Sequence, residues 1–397
     1  MEEGPDFLVL KDGGKLPPSY SNPSDIRNYM AKRLSAVRAA ARRRMDELSS
    51  VPEVKESIEE RRGGTWVVPA VLLGRRASGS GRLEALIEDE RGALRVAVDK
   101  EAMGDLSSLL PDEPALFHLE RRGGRLVLKR VERIGAAFQT SPLRSSRRIY
   151  AAFLSDLHCG DDSCGGLERF VRQVEEGELE RDVSRNLSYV VIGGDLVDCG
   201  RGEPRNVYNE VGRILRKLPE EVVKVVLPGE CDPSPNVLPQ PPIEKRFRGI
   251  LEEVPNVYFV GNPSLVSMSG VRTLLYHGQT LPKVMEYLGV ERPTLAMRRL
   301  LSMRTLVPVI GTRDHATFPQ GAEELDIPTI PDIFFAGHTH MADALRSENV
   351  LFLSTPSWRH ERGPRVPSVA VINLSSMDVL WRGPLPSEDR GNQLVLL

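Results

Sequence analysis

From Ile26 to about Leu48 the apolar residues Ile26, Met30, Leu34, Val37, Ala41, Met45 and Leu48 recur every three or four positions, and Ser24-Asp25 stands where a helix would start. The spacing predicts a helical segment within residues 24–60, its polar face rich in arginine (Arg27, Arg33, Arg38, Arg42, Arg43, Arg44). The residues before it, 1–23, hold Gly, Pro and Ser with little periodicity and are expected to form a flexible or loosely docked arm. Over 61–140 the pattern shortens. Thr65–Leu73, Leu83–Ile87, Leu94–Val98, Ala115–Leu119 and Leu126–Val131 are β-rich runs separated by turn signals such as Ser78-Gly79-Ser80-Gly81 and Arg122-Gly123-Gly124. Five short strands in so few residues suit a small barrel, and the OB-fold is the commonest candidate. Trp66 and Phe117 are the only aromatic residues within 64–135, so a docking barrel fits as well as a reader of single strands, which stacks bases on aromatic rings.

From about Arg148 the pattern becomes strand, loop, helix, strand. Ile149–Leu154, Tyr189–Ile192, Val222–Leu227, Thr273–Tyr276, Ile333–Ala336, Leu351–Leu353 and Val369–Ile372 read as buried strands, with helical stretches Leu167–Val174 and Val207–Leu218 between. This is a layered α/β domain, placed at residues 148–390.

Composition changes little in this picture. The formal net charge is -2, which gives no global basic field. Of 53 basic residues only 10 are Lys, and the excess Arg leaves a phosphate or subunit interface open. No apolar run reaches the roughly 18 residues of a membrane span. The acidic start, Met1-Glu2-Glu3-Gly4-Pro5-Asp6, has no apolar signal core, so a cytoplasmic protein is expected.

The candidate chemistry follows the strands. Successive apolar runs end in Ser155-Asp156-Leu157-His158, Gly193-Gly194-Asp195-Leu196-Val197-Asp198, Pro228-Gly229-Glu230-Cys231-Asp232, Tyr276-His277-Gly278 and Gly337-His338-Thr339-His340. Ligands of open α/β sheets gather at the carboxyl ends of strands, so five strands aim Asp, Glu and His at one place. Such a set suits a two-metal phosphoester site, in which cations about 3.5–4 Å apart neutralise the phosphodiester and activate water. Mixed imidazole and carboxylate donors suit Mn, Fe or Zn better than Ca, and two divalent ions are expected, Mn first with Zn or Fe as alternatives. Of 7 His, 4 lie in these motifs; His118, His315 and His360 read as ordinary polar residues. Cys159, Cys199 and Cys231 fall in three of these loops, with Cys164 close behind Cys159. Free thiols, a disulfide, or a thiolate-bound zinc or iron–sulfur site are the alternatives.

These motifs resemble the calcineurin-like phosphoesterase superfamily: Asp-X-His, Gly-Asp-X-X-Asp, Gly-Asn-His-Asp, a lone His, then Gly-His-X-His. The stretches Pro228–Pro233, Leu238–Pro242, Val307-Pro308 and Pro331–His340 are similar to the small, B-type subunits of replicative DNA polymerases. The order of helix, OB barrel and layered α/β/β/α phosphoesterase is that of the polymerase D small-subunit family of archaea. The resemblance implies that Asp156, His158 and His340 hold one metal, that Asp195 bridges, and that Glu230, His277 and His338 hold the second. It implies a 3′–5′ proofreading exonuclease that scaffolds a large catalytic subunit. Its other partners would be single-stranded or mismatched 3′ DNA ends and, through the complex, the sliding clamp. Asp198 and Cys231 are the candidate catalytic residues. Gly229-Glu230-Cys231-Asp232 departs from Gly-Asn-His-Asp. Glu230 adds negative charge, and a thiol with a reference pKa near about 8.5 replaces an imidazole. General acid–base help is worth about 10²–10⁴-fold, so slow or altered turnover is expected. The rival readings are an inactive scaffold with a residual metal site and a stand-alone metallophosphoesterase.

Overall fold

The protein is described here from a computed structural model that covers residues 5–14, 23–45, 47–77, 82–110, 113–134, 142–160, 164–200, 203–307, 323–358 and 368–382. The chain opens with β1 (Phe7–Asp12), α1 (Pro23–Ala41) and α2 (Val51–Glu59). Next come β2 (Thr65–Ala77), β3 (Leu83–Asp89), β4 (Gly92–Val98), α3 (Ala102–Ser107), β5 (Ala115–Arg122) and β6 (Arg125–Glu132). The larger domain begins with β7 (Tyr150–Leu154), α4 (Gly165–Glu175), α5 (Arg181–Asn186), β8 (Leu187–Ile192), α6 (Pro204–Leu215), β9 (Val223–Val226) and α7 (Lys245–Arg248). It continues through β10 (Val257–Phe259), β11 (Ser264–Met268), β12 (Val271–Tyr276), α8 (Leu281–Leu288), α9 (Pro293–Met303) and β13 (Ile333–Ala336). It closes with β14 (Asp343–Ser347), β15 (Val350–Ser354), β16 (Val369–Asn373) and β17 (Val379–Arg382).

Strict alternation with both faces apolar builds the larger domain in four layers. In β7, Tyr150, Ala152 and Leu154 face α4 and α6, whereas Ala151 and Phe153 face the opposite sheet. In β13, Ile333 and Phe335 enter the same inter-sheet core, and Phe334 and Ala336 pack with α8 and α9. Phe153 and Phe335 meet across it with ring centroids 5.0 Å apart. The two sheets run β10-β9-β8-β7-β16-β17 and β1-β11-β12-β13-β15-β14. Strands β7, β8 and β9 are mutually parallel, as are β12, β13 and β15, so their carboxyl ends point the same way within each sheet.

Strands β2-β3-β4-β6-β5 close a barrel. Phe117 is fully buried in its core and Trp66 is partly covered, so the aromatic pair of this span offers no open stacking platform. His118 lies 3.2 Å from Glu132 within the barrel, while His315, His360 and Pro308 fall outside the described residues. The buried carboxylate of Glu113, before β5, pairs with Arg299 of α9 and thereby ties the barrel to the larger domain. Among the described residues no helix is long and apolar enough to cross a membrane.

Two expectations need correction. The first residues are not simply an arm: β1 is an edge strand antiparallel to β11, with Phe7 opposite Met268 and Asp12 opposite Ser264. Phe7 packs on the inter-sheet core, and Asp12 Oδ1 accepts hydrogen bonds from the backbone of Gly14 and Gly261. Leu8, Val9 and Leu10 are all exposed, so the alternation that would signal a strand is absent. The single helical run toward Leu48 instead ends at Ala41, and α2 starts afresh after Ser50, whose N–H is accepted by the Glu53 carboxylate at 2.6 Å.

Candidate metal centre

The site is assembled by loops that keep pairing after their strands end. Beyond β7 and β8 the N–H groups of Asp156, His158 and Cys159 donate to the carbonyls of Gly194, Asp195 and Leu196 at 2.9, 2.9 and 2.7 Å. To aim side chains inward from such tight turns, the backbone enters the left-handed region at Asp156 (φ 53°), His158 (43°), Asp195 (51°), His338 (63°) and His340 (58°). Non-glycine residues seldom adopt it, and such departures cluster where surrounding structure enforces a functional geometry. Gly194 (φ 95°) and Gly229 leave the backbone room; a Cβ on Gly229 would strike the Asp195 carboxylate.

Three groups of donor atoms result, each with all its ligand atoms within 4.8 Å of one another. They are Asp156, His158 and His340; Asp195, His277 and His338; and His158, Asp195 and Cys231. Asp195 is shared by the second and third groups, and His158 by the first and third. His340 Nε2 lies 3.4 Å from both Asp156 Oδ1 and His158 Nε2. The His277 and His338 rings meet edge to face with centroids 5.1 Å apart. His277 donates Nδ1–H to Gly193 O at 2.7 Å, because a carbonyl can only accept, and this turns Nε2 toward Asp195 Oδ2 at 3.6 Å. His277 Nε2, Asp156 Oδ1 and His158 Nδ1 are buried without a hydrogen-bond partner. Buried polar atoms are rarely left so, and here they converge, which fits bound divalent cations.

The electrostatics agree. Burial alone would lower the His277 imidazole, yet the Asp195 charge outweighs it and holds the group up at about 10. The same pairing pulls Asp195 well below the carboxylate range against its burial. Burial, together with the neighbouring His277 charge, pushes His338 down to about 4 and so keeps a neutral donor. His340 is raised, chiefly by its contact with Asp156.

Glu230 and Asp198 lie outside the three donor groups. Glu230 is half-buried, and burial raises its carboxyl. Asp198 is buried, with its backbone N–H donated to Cys159 O at 2.8 Å. The thiols are paired: Cys159 with Cys164, and Cys199 with Cys231, at Cα separations of 5.1 and 4.8 Å. Free thiols and a four-cysteine metal site both give way to two disulfides, since each pair sits on one turn or on adjoining loops. A disulfide sulfur carries no proton, so Cys231 in this form cannot be the proton donor.

Asp232 is a positioning residue missed in sequence. Its carboxylate accepts from Tyr208 OH (2.6 Å), Gly229 N (2.9 Å) and Leu196 N (3.1 Å), clamping the β8 and β9 loops together. Asn262, Gln240 and Gln279 form a second buried clamp: Asn262 Nδ2 donates to both Gln240 Oε1 and Gln279 Oε1 at 3.0 Å, and its Oδ1 accepts from His277 N. Asn262 and Gln279, after β10 and β12, lie in no recognisable motif, whereas Asp232 and Gln240 lay within quoted stretches without a role assigned to them.

A sandwich of two sheets with Asp-X-His, Gly-Asp-X-X-Asp and Gly-His-X-His at its strand ends is the layout of a calcineurin-like metallophosphoesterase. The family model for the B-type subunit of DNA polymerases alpha and epsilon matches residues 204–343. A DNA polymerase II small subunit of Methanothermobacter thermautotrophicus is 26% identical over 94% of this chain and 83% of its own length. One from Methanocaldococcus jannaschii is 29% identical over 66% of this chain, which spans 48% of that relative. Among solved structures, an archaeal phosphodiesterase matches with 13% identity over 59% of this chain and all of its own, at a TM-score of 0.35. By these sequence matches the chain is a relative of the small, B-type subunits of archaeal DNA polymerase.

Proposed function

We propose that the chain is the small subunit of an archaeal replicative DNA polymerase, that its strand-end loops form a two-metal 3′–5′ exonuclease site, and that its body scaffolds the large catalytic subunit. The supporting observation is the adjacency of Asp156–His158–His340 and Asp195–His277–His338, joined through Asp195 and His158 in a third group. Two divalent cations held there, Mn²⁺ with Zn²⁺ or Fe as alternatives, would neutralise a phosphodiester and activate water. The chain's own residues do the rest. Gly193 O fixes the tautomer of His277, Asp195 reaches the first donor group through His158, and the exposed side of His340 opens the site to a strand end. The barrel, whose five strands close in the order first, second, third, fifth, fourth, is an OB-fold in this reading. Its buried Phe117 favours docking to protein over stacking of bases. The partners are the large subunit, mismatched or single-stranded 3′ DNA ends and, through the complex, the sliding clamp.

One observation favours a second reading, a scaffold with a residual metal site. Cys231, where the superfamily has a histidine, is tied to Cys199. Exonuclease assays on a 3′-labelled mismatched primer with Mn²⁺, alone and with the large subunit, separate the two. Cleavage that His340→Ala and Asp195→Asn both abolish supports the enzyme. No cleavage above those controls, with metal bound and the complex formed, leaves the scaffold.

A further inference from the structure

We propose that Cys231, once released from Cys199, is a thiolate ligand that completes a soft-metal site with His158 and Asp195, distinct in its donor chemistry from the all-nitrogen-and-oxygen pair of sites. The inference rests on the two-metal reading above, because it borrows His158 and Asp195 from it.

Geometry carries the case. The Cys231 sulfur, a His158 ring nitrogen and an Asp195 carboxylate oxygen lie within 4.8 Å of one another, close enough to share one ion. His158 is 5% exposed and its Nδ1 has no hydrogen-bond partner. The backbone is already locked: Cys231 N donates to Asp195 Oδ1 at 2.8 Å, and His158 N to Asp195 O at 2.9 Å. The two residues of the bridge differ in access, for Cys199 is exposed and Cys231 half-buried beside the donors.

That asymmetry sets the chemistry. A dithiol reductant attacks the accessible Cys199 Sγ, forming a mixed disulfide there and breaking the Cys199–Cys231 bond. Cys231 Sγ leaves with the electron pair as a thiolate, next to His158 and Asp195. The reductant's second sulfur then displaces Cys199, which takes up a proton, and the reductant departs as its own disulfide. Two electrons pass to the protein in all. A thiolate beside imidazole and carboxylate favours Zn²⁺ or Cd²⁺ over Mn²⁺, so reduction would change the metal the site prefers.

The test uses the full chain and Cd²⁺ as probe. Its readouts are the ultraviolet thiolate-to-cadmium charge-transfer band and bound cadmium by elemental analysis. Without reductant, Cys199→Ser leaves Cys231 free while Cys159 and Cys164 stay paired. It should show the band at one thiolate per chain, and His158→Ala in that background should weaken it at least tenfold in cadmium affinity. Oxidised wild type and Cys231→Ser should bind cadmium with no band. A Cys159→Ser/Cys164→Ser chain asks the same question without touching Cys199, and its band should appear only with reductant. If Cys199→Ser and the reduced double variant bind cadmium bandlessly, the thiolate site is wrong and the two-metal reading stands. An equal band in Cys231→Ser also overturns the proposal. If no form binds cadmium, the two-metal reading fails with it.

Discussion

His277 Nε2 faces Asp195 Oδ2 across 3.6 Å in a buried setting, so in the metal-free protein the two form an imidazolium–carboxylate pair whose proton a cation must displace. The His277 group is held up at about 10, against an ordinary value of about 6.5. Between those values the folded chain binds a proton that the unfolded chain lacks. The contribution of this group is therefore complete below about pH 6.5 and is lost as pH rises toward 10. His338, pushed down to about 4, works in the opposite sense: the unfolded chain takes up its proton first as pH falls from about 6.5. The melting temperature of chelator-treated protein should thus fall on either side of about pH 6.5. His277→Gln should flatten the alkaline side, and Mn²⁺ should reverse it, since the metal replaces the proton. Thermal melts across pH check this; an alkaline side unchanged in His277→Gln would refute the assignment.

Asp195 and Glu230 are expected to part company as ligands. Asp195 belongs to two donor groups, whereas Glu230 belongs to none. Asp195→Asn should lose at least one of two bound Mn²⁺ ions. Glu230→Gln should keep both with affinity changed no more than a few-fold. Calorimetric titration decides it, and loss of a metal in Glu230→Gln would restore the ligand role that the superfamily resemblance implies.

Gly229 allows the β9 loop to lie against Asp195, and an added Cβ would meet both the carboxylate and the backbone N of that residue. Overpacking of this kind costs about 1–3 kcal/mol. Gly229→Ala should therefore unfold at lower denaturant and bind metal at least tenfold more weakly. Gly123→Ala offers a contrast, for nothing lies within 4 Å of its Cβ, although its φ of +56° is unfavourable for alanine. It should leave metal binding intact.

Glu113 is 3% exposed, and it links the barrel to the phosphoesterase layer through Arg299, with Arg133 3.5 Å away. Removing one partner of a buried pair leaves uncompensated charge and costs about 3–5 kcal/mol. The guanidinium groups here are partly exposed, which places Glu113→Ala near about 3 kcal/mol. Calorimetry should show the barrel and the larger domain melting separately, while metal binding to the larger domain persists. One unshifted transition would mean that the link is dispensable.

The sequence by itself determined the strand layers and the loops in which the candidate donors lie. The β7, β8, β9, β12 and β13 segments are short apolar runs whose length and punctuation suffice to identify buried strands, and Asp or His follows each at recognisable spacing. Asp195, which the resemblance implies as the bridging residue, falls in two of the donor groups. Tertiary structure decided what local pattern cannot encode. Strand β1 exists because β11 offers it a partner, since Leu8, Val9 and Leu10 have no alternation of their own. The left-handed turns at Asp156, His158, Asp195, His338 and His340 are enforced by loops packing on one another, against the preference of each residue alone. Whether Cys231 faces the metals as a thiol or is held by Cys199 depends on two loops 32 residues apart coming side by side, a proximity that no spacing along the chain expresses.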